Sequence, residues 1–221
     1  MQVNHLAPFY ISRALRPVLA ASERKSIIDV ASAAQLTVDL DDLMMSGRWS
    51  APVAYARSKL AMIMAGMALA AELDGDGIRV NAVNPARLMP TAMTSELSTL
   101  ASRKWLGRLL KRRLRPRDSL EVGVANVLRL AIAAPGAAPT GRYFDGEREK
   151  RPHRQARDPA AVARLNALSQ GYCEAALATP PSPSPNGRIA GEMPFASGAA
   201  NGRLSSLAGD GVCDVGGRAE R

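Results

Sequence analysis

Tyr55 and Lys59, in the stretch Tyr55-Ala56-Arg57-Ser58-Lys59, are the residues of this sequence best placed to move a proton. Four residues apart in a segment that reads as helix, Val53 to Leu73, they fall on one face about one turn from each other. A phenol loses its proton only near pH ~10, which makes it a poor acid or base at neutrality. A neighbouring ammonium favours the phenolate and brings the pair within reach of proton transfer to or from a carbonyl oxygen. On spacing alone, a surface tyrosine stacked beside a lysine stem is the commoner origin of such a pair.

The elements around the pair sharpen the reading. Ser26-Ile27-Ile28-Asp29-Val30-Ala31-Ser32 is a β-branched apolar run that reads as a buried parallel strand. It ends in Ser32, at the carboxyl end where open α/β sheets place their chemistry. Gly77 to Pro85 reads as a second strand stopped by proline, and residues near 141 to 145 as a third. Asn4, in Val3-Asn4-His5-Leu6, opens the helix that precedes the first strand.

Asn4, Ser32, Tyr55 and Lys59, in that order on helix, strand end and helix, resemble the catalytic tetrad of the short-chain dehydrogenase/reductase family. The resemblance covers most of residues 2 to 177. QVNHLAPFYISRALRPVL looks like that family's crossover helix between the fourth and fifth strands, and SIIDVASAAQ like its serine strand. VDLDDLMMSGRWSAPVAYARSKLA is similar to the retinol-dehydrogenase-like branch, with its acidic insert between serine and tyrosine. NAVNPARLMPTAM resembles the loop after the sixth strand; TGRYFDGEREK and QARDPAAVARLNALS resemble the last strand and final helix. Asp29 and Ala31 depart from the family's usual Asn and Ser, Ala86 from its usual Gly, and Met62 from a frequent Asn.

The resemblance implies an α/β fold: the carboxyl-terminal portion of a Rossmann-type doubly wound parallel sheet, lacking the first strands. In the family those strands carry a G-x-x-x-G-x-G turn that binds the cofactor pyrophosphate, and none precedes Asn4 here. The expectation is an amino-terminally truncated chain that binds NAD(P)(H) weakly, with the choice between NAD and NADP undetermined. By resemblance, Ser32 would stabilise charge on a carbonyl oxygen and Tyr55 would transfer the proton. Lys59 would lower the phenol's pKa and hold the nicotinamide ribose, and Asn4 would keep a water for a proton path. Pro85, Ala86, Leu88 and Thr91 would hold the nicotinamide end of the cofactor. The substrate implied is an apolar alcohol or carbonyl compound.

Composition divides the chain into residues 1–178, one partial domain, and residues 179–221. The latter are rich in Pro, Gly, Ser and Ala, too poor in large apolar residues to offset their ordering entropy, and read as a disordered tail. Cys173 and Cys213 form no disulfide framework and His5 and His153 no metal-ligand spacing, which suits a reducing cytoplasm. The longest apolar run, Leu60 to Ala71, falls short of the ~18 residues a membrane span needs. It is apolar on every face, so one side can cover the sheet while the other calls for a partner. In the family this helix and the one before it pair two subunits, so a homo- or heterodimer through residues 2–20 and 53–73 is expected.

Residues 101–157 hold 15 basic and 5 acidic side chains, and so carry the excess behind the net charge of +9. The segment 103–117 places Trp105, Leu106, Leu109 and Leu110 on one stripe, with cations opposite. Within a substrate segment of about 86–118, this favours a lid helix with snorkelling arginines. Peripheral contact with an anionic membrane is the second reading. No stacking platform accompanies the charge, which argues against nucleic acid.

Two functions of different class follow. One is an alcohol/carbonyl oxidoreductase whose activity is impaired in this chain. The other is a non-catalytic partner, or relic, that dimerises with a full-length relative. A strand 26–32 left open on one side, beside an apolar helix, is expected to leave the isolated chain aggregated, molten or bound to another subunit.

Overall fold

The β-branched runs pair as a sheet at the centre of the molecule. The computed structural model describes residues 1–47, 49–86, 118–133 and 139–179. Strands β1 (Ser26–Val30), β2 (Arg79–Asn84), β3 (Arg142–Asp145) and β4 (Arg148–Lys150) lie in the order β1-β2-β3-β4. β1 and β2 are parallel with Ile28 opposite Asn81, and β2 and β3 are parallel with Val83 opposite Phe144. β4 adds an antiparallel strand, so TGRYFDGEREK is a hairpin rather than the single last strand expected. Its two-residue turn opens on Gly146, whose φ of 63° suits a residue without a side chain.

The segment expected as one helix over 2–20 is three pieces: a π-helical turn Gln2–Leu6, α1 (Ala7–Ala14) and α2 (Arg16–Ala20). Pro8 and Pro17 sit at the starts of α1 and α2, where a missing N–H costs no helical hydrogen bond. α3 (Ala51–Glu72) carries Tyr55 and Lys59 and joins β1 to β2 across one face of the sheet. α4 (Leu120–Ala131) packs on the other face, where Leu130 meets Val83 and Phe144. With both faces covered, β2 is buried from Val80 to Asn84, as a central parallel strand requires.

The apolar run of α3 is satisfied inside the chain. Leu60, Ala61, Ile63 and Met64 are fully buried, packed with Ala82 and Tyr143 of the sheet and with Leu165 of α5 (Pro159–Ala178). Further along, Ala65 packs with Phe9 of α1 and Cys173 of α5. Each such Leu or Ile contributes roughly 1.5–3 kcal/mol through burial. The side of α3 expected to require another subunit is therefore closed by α5 and the amino-terminal helices. α3 is also long and apolar enough, by length and composition, to cross a membrane, yet 61% of its most apolar window is buried in this fold.

Apolar surface is left uncovered at several places among the described residues, including Leu120, Val124 and Leu128 along α4. β1 pairs with β2 alone, leaving its other edge open, and Val30 there is 46% exposed. Ile11, Leu15 and Val18 form an exposed stripe along α1 and α2. Leu88, Thr91, the basic segment 103–117 and residues 180–221 lie outside the described residues.

Candidate active site

The carboxyl end of β1 positions Ser32. The ladder continues one residue beyond the strand through Ala31 N–H, which donates to Val83 O at 2.8 Å. Ser32 Oγ then accepts from Ala34 N–H at 3.1 Å, which leaves its own proton free to donate. The Ser32 carbonyl accepts from the phenol of Tyr143, on β3, at 3.1 Å. Burial, and then the charge of Asp145, push that phenol up to about 12, so it stays a donor across the neutral range.

α3 delivers the other groups. Tyr55 and Lys59, both half-buried, lie in its first half, with Lys59 Nζ 5.8 Å from the centre of the Tyr55 ring. Lys59 Nζ donates to the Val30 carbonyl at 2.8 Å, tying the helix to the end of β1. Asn4 Nδ2 donates to Ser58 Oγ at 3.2 Å, and Ser58 Oγ donates to the Tyr55 carbonyl at 2.8 Å. Ser58 thus links Asn4 to the turn of helix that bears Tyr55. Asn4 is thereby joined to the Tyr55 backbone, while Lys59 is bonded to β1. Ser32 is held separately, and among the described residues no hydrogen bond joins its hydroxyl to Tyr55.

Burial lowers the pKa of Lys59 and the nearby Asp29 raises it again. Burial pushes Asp29 up to about 6, with Lys59 pulling the other way.

The loop after β2 begins with Pro85, whose carbonyl accepts from the buried Asn126 Nδ2 of α4 at 2.7 Å, followed by the buried Ala86. Its start is therefore fixed from the opposite face of the sheet. Leu88 and Thr91, further along it, are outside the described residues.

The acidic insert is folded on itself. Asp42 accepts from Ser46 N–H, Ser46 Oγ–H and Gly47 N–H, which hold its carboxyl below the usual carboxylate range. Gln155, ahead of α5, accepts from Val38 N–H at 2.7 Å and donates to Val38 O at 2.9 Å. Ser58, Tyr143 and Gln155 escaped sequence reasoning. Ser58 had a signal, since it lies between Tyr55 and Lys59; the other two come from more than 80 residues downstream and carry no local pattern.

A nicotinamide ribose fits the donor chemistry at Lys59. An ammonium has three donors, and Val30 O takes one of them. A tyrosine and a lysine one helical turn apart, with a serine just past the end of a parallel strand, thus lie together on a Rossmann-type α/β sheet. Residues 1–101 match the family model for short chain dehydrogenase. The chain is 33% identical over 172 residues to retinol dehydrogenase 13 of Homo sapiens, spanning 76% of this chain and 51% of that protein. It is 29% identical over 180 residues to the WW domain-containing oxidoreductase of Homo sapiens, spanning 76% of this chain and 42% of that one. The fold is shared with a solved structure of an uncharacterized protein from Mycobacterium paratuberculosis, at a TM-score of 0.54 and 22% identity, over 77% of this chain and 57% of that one. This chain belongs to the short-chain dehydrogenase/reductase family, on its retinol-dehydrogenase-like side. It spans about half the length of the curated relatives it matches. The family uses NAD(P)(H) as its redox cofactor.

Proposed function

We propose that the site interconverts an alcohol and a carbonyl on an apolar substrate, with Tyr55 as the group that transfers the proton. The observation that carries this reading is the placement of Lys59. Its ammonium is anchored to β1 one helical turn from Tyr55 and 5.8 Å from the phenol ring centre. A cation fixed there stabilises negative charge that develops on the Tyr55 oxygen during proton transfer. Ser32, with its carbonyl held by Tyr143 and its hydroxyl proton free, donates to the substrate oxygen as charge builds on it. Asn4, through Ser58, steadies the helical turn of Tyr55. NAD(P)(H) supplies the hydride. Tyr55 and the free donors of Lys59 would hold its ribose, and Pro85, Ala86, Leu88 and Thr91 its nicotinamide end.

The described residues include no glycine-rich phosphate turn, so this chain by itself binds NADH and NADPH weakly. Calorimetric titration with each dinucleotide tests that, and micromolar binding of either would refute it. Assay of the full product of the gene on apolar aldehydes and alcohols with both cofactors tests the reaction.

A second reading, a non-catalytic partner of a full-length relative, draws on the open edge of β1 and the exposed Ile11, Leu15 and Val18. On either reading the chain is cytoplasmic, with peripheral membrane contact through 103–117 as the secondary possibility. Co-purification of the chain with a full-length relative, lost on charging Leu15, supports the second reading; a monomer at all concentrations removes it.

A further inference from the structure

We propose that a small cavity between the π-helical turn, α1, α3 and β1 is a binding site for one ordered water, which bridges His5 to the carboxylate of Asp29. Two acceptors that meet no donor among the described residues carry the inference. His5 is 1% exposed, and its Nδ1 has no hydrogen-bond partner. Its other nitrogen, Nε2, lies 2.7 Å from Ser169 Oγ on α5. Ser169 has a single hydroxyl proton and gives it to the Leu165 carbonyl at 2.8 Å, so toward His5 its oxygen accepts. The proton of the neutral imidazole is therefore on Nε2, and Nδ1 is left with a bare lone pair. Burial, which lowers the pKa of His5 to about 4, keeps the ring neutral.

The second acceptor faces the same space. Asp29 lines the cavity together with His5, Ser12, Arg13, Ala65 and Gly66. Its Oδ2 occupies room that Gly66 provides, 2.5 Å from where a Cβ would stand. Among the described residues no hydrogen bond reaches that carboxylate. No residue of α5 lines the cavity, so the Nδ1 edge of His5, on the far side of the ring from Ser169, is the one turned to it. Arg13, the cation on the wall, is engaged elsewhere. It donates to Glu72 at 2.8 Å and to Phe9 O at 3.3 Å, and its guanidinium lies 3.8 Å over the Phe9 ring. Two acceptors cannot bond each other, and leaving either unpaired away from bulk water is costly. A water satisfies both: it donates one proton to Nδ1 and one to the carboxylate, and accepts from the Ser12 hydroxyl, the three bonds usual for a buried water. The cavity, about 10 Å³, has room for the centre of one water. His5 follows Asn4 in its turn and Asp29 lies three residues before Ser32, so the bridge ties the turn of Asn4 to the strand that leads to Ser32. That catalytic meaning rests on the function proposed above; the water site does not.

Nuclear magnetic resonance on the whole chain, labelled with nitrogen-15 histidine, tests the site. The chain has two histidines, so the signal lost in His153→Gln assigns the other to His5. Above the ionisation of Asp29, which burial pushes up to about 6, His5 should appear as the neutral tautomer protonated at Nε2. Its Nδ1 should resonate upfield of a free acceptor nitrogen, the mark of an accepted hydrogen bond, and its Hε1 should show a cross-peak to a long-lived water. Asp29→Leu removes one acceptor and fills the space, so it should abolish the water cross-peak and return Nδ1 to its unbonded position. A proton on Nδ1, the absence of either the hydrogen bond or the water, or a water cross-peak that persists in Asp29→Leu overturns the proposal. Should Asp29→Leu not fold, the native spectrum decides alone. None of these readouts needs cofactor or turnover. Their failure is therefore separate from the failure of the catalytic reading, which Tyr55→Phe turnover measures.

Discussion

Lys59 Nζ donates to the carbonyl of Val30 at 2.8 Å, so the helix that carries Tyr55 is pinned to the end of a strand 29 residues away in sequence. β1 has an open edge, and this ammonium satisfies one of its carbonyls. Lys59→Met should cost about 1–3 kcal/mol of stability, because it removes a charged hydrogen bond. Urea denaturation measures it, and an unchanged midpoint would contradict the pinning.

Stability should depend on pH through two groups of opposite sign. His5 has a folded pKa of about 4 against an ordinary 6.5, so its contribution is whole above pH 6.5 and is lost as pH falls toward 4. Asp29 is raised from 3.8 to about 6, so its burial costs nothing below pH 3.8 and its full amount above pH 6. Each effect is worth about 3 kcal/mol, and between pH 4 and 6 they offset. The native protein should therefore show a shallow pH profile there. In Asp29→Asn the His5 term stands alone, and stability should rise steadily from pH 4 to 6.5. Denaturation across that range checks it; a variant as flat as the parent would remove His5 from the account.

Gly66→Ala should destabilise the fold by about 1–3 kcal/mol, since the new Cβ would press on the Asp29 carboxyl. Asp29→Ala should relieve that strain, so the double variant should lose less than the two single losses added together. Strict additivity would show that Gly66 is not shaped around Asp29.

Tyr143→Phe should cost about 1 kcal/mol by removing the hydrogen bond to the Ser32 carbonyl. The loop that follows should loosen, which hydrogen exchange at Ala34 N–H reads directly, since that amide is bonded to Ser32 Oγ. Unchanged exchange there would show that Ser32 is held by other means.

The residues that were readable from sequence are those whose environment is local. Ile27, Ile28, Val80 and Val83 are β-branched and fall in the parallel strands read from them, and Tyr55 and Lys59 share the helix read over 53–73. Motif order placed Asn4 in a helix before β1 and Ser32 at the strand's carboxyl end; the structure has Asn4 in a π-helical turn and ends the strand at Val30, two residues short of Ser32. What depended on distant packing was not readable. α5 closes the second side of α3 through Leu165 and Cys173, and nothing in the run Leu60–Ala71 says which later helix will do so. The Asp145-Gly146 turn signal in TGRYFDGEREK marked a hairpin that the family resemblance obscured. Asp29 stood out as a departure from the family's usual residue, but its close approach to Gly66 appears only when strand and helix are stacked.

The central claim is that Tyr55 transfers the proton, and turnover of the full gene product on an apolar aldehyde, with NADH and with NADPH, tests it most directly. Tyr55→Phe keeps the ring and its contacts and removes only the hydroxyl. The account predicts a fall in kcat of about 100-fold or more, the range general acid catalysis spans, in a protein that still folds. A Tyr55→Phe enzyme with near-normal kcat would show that the pair Tyr55 and Lys59 only builds the helix surface.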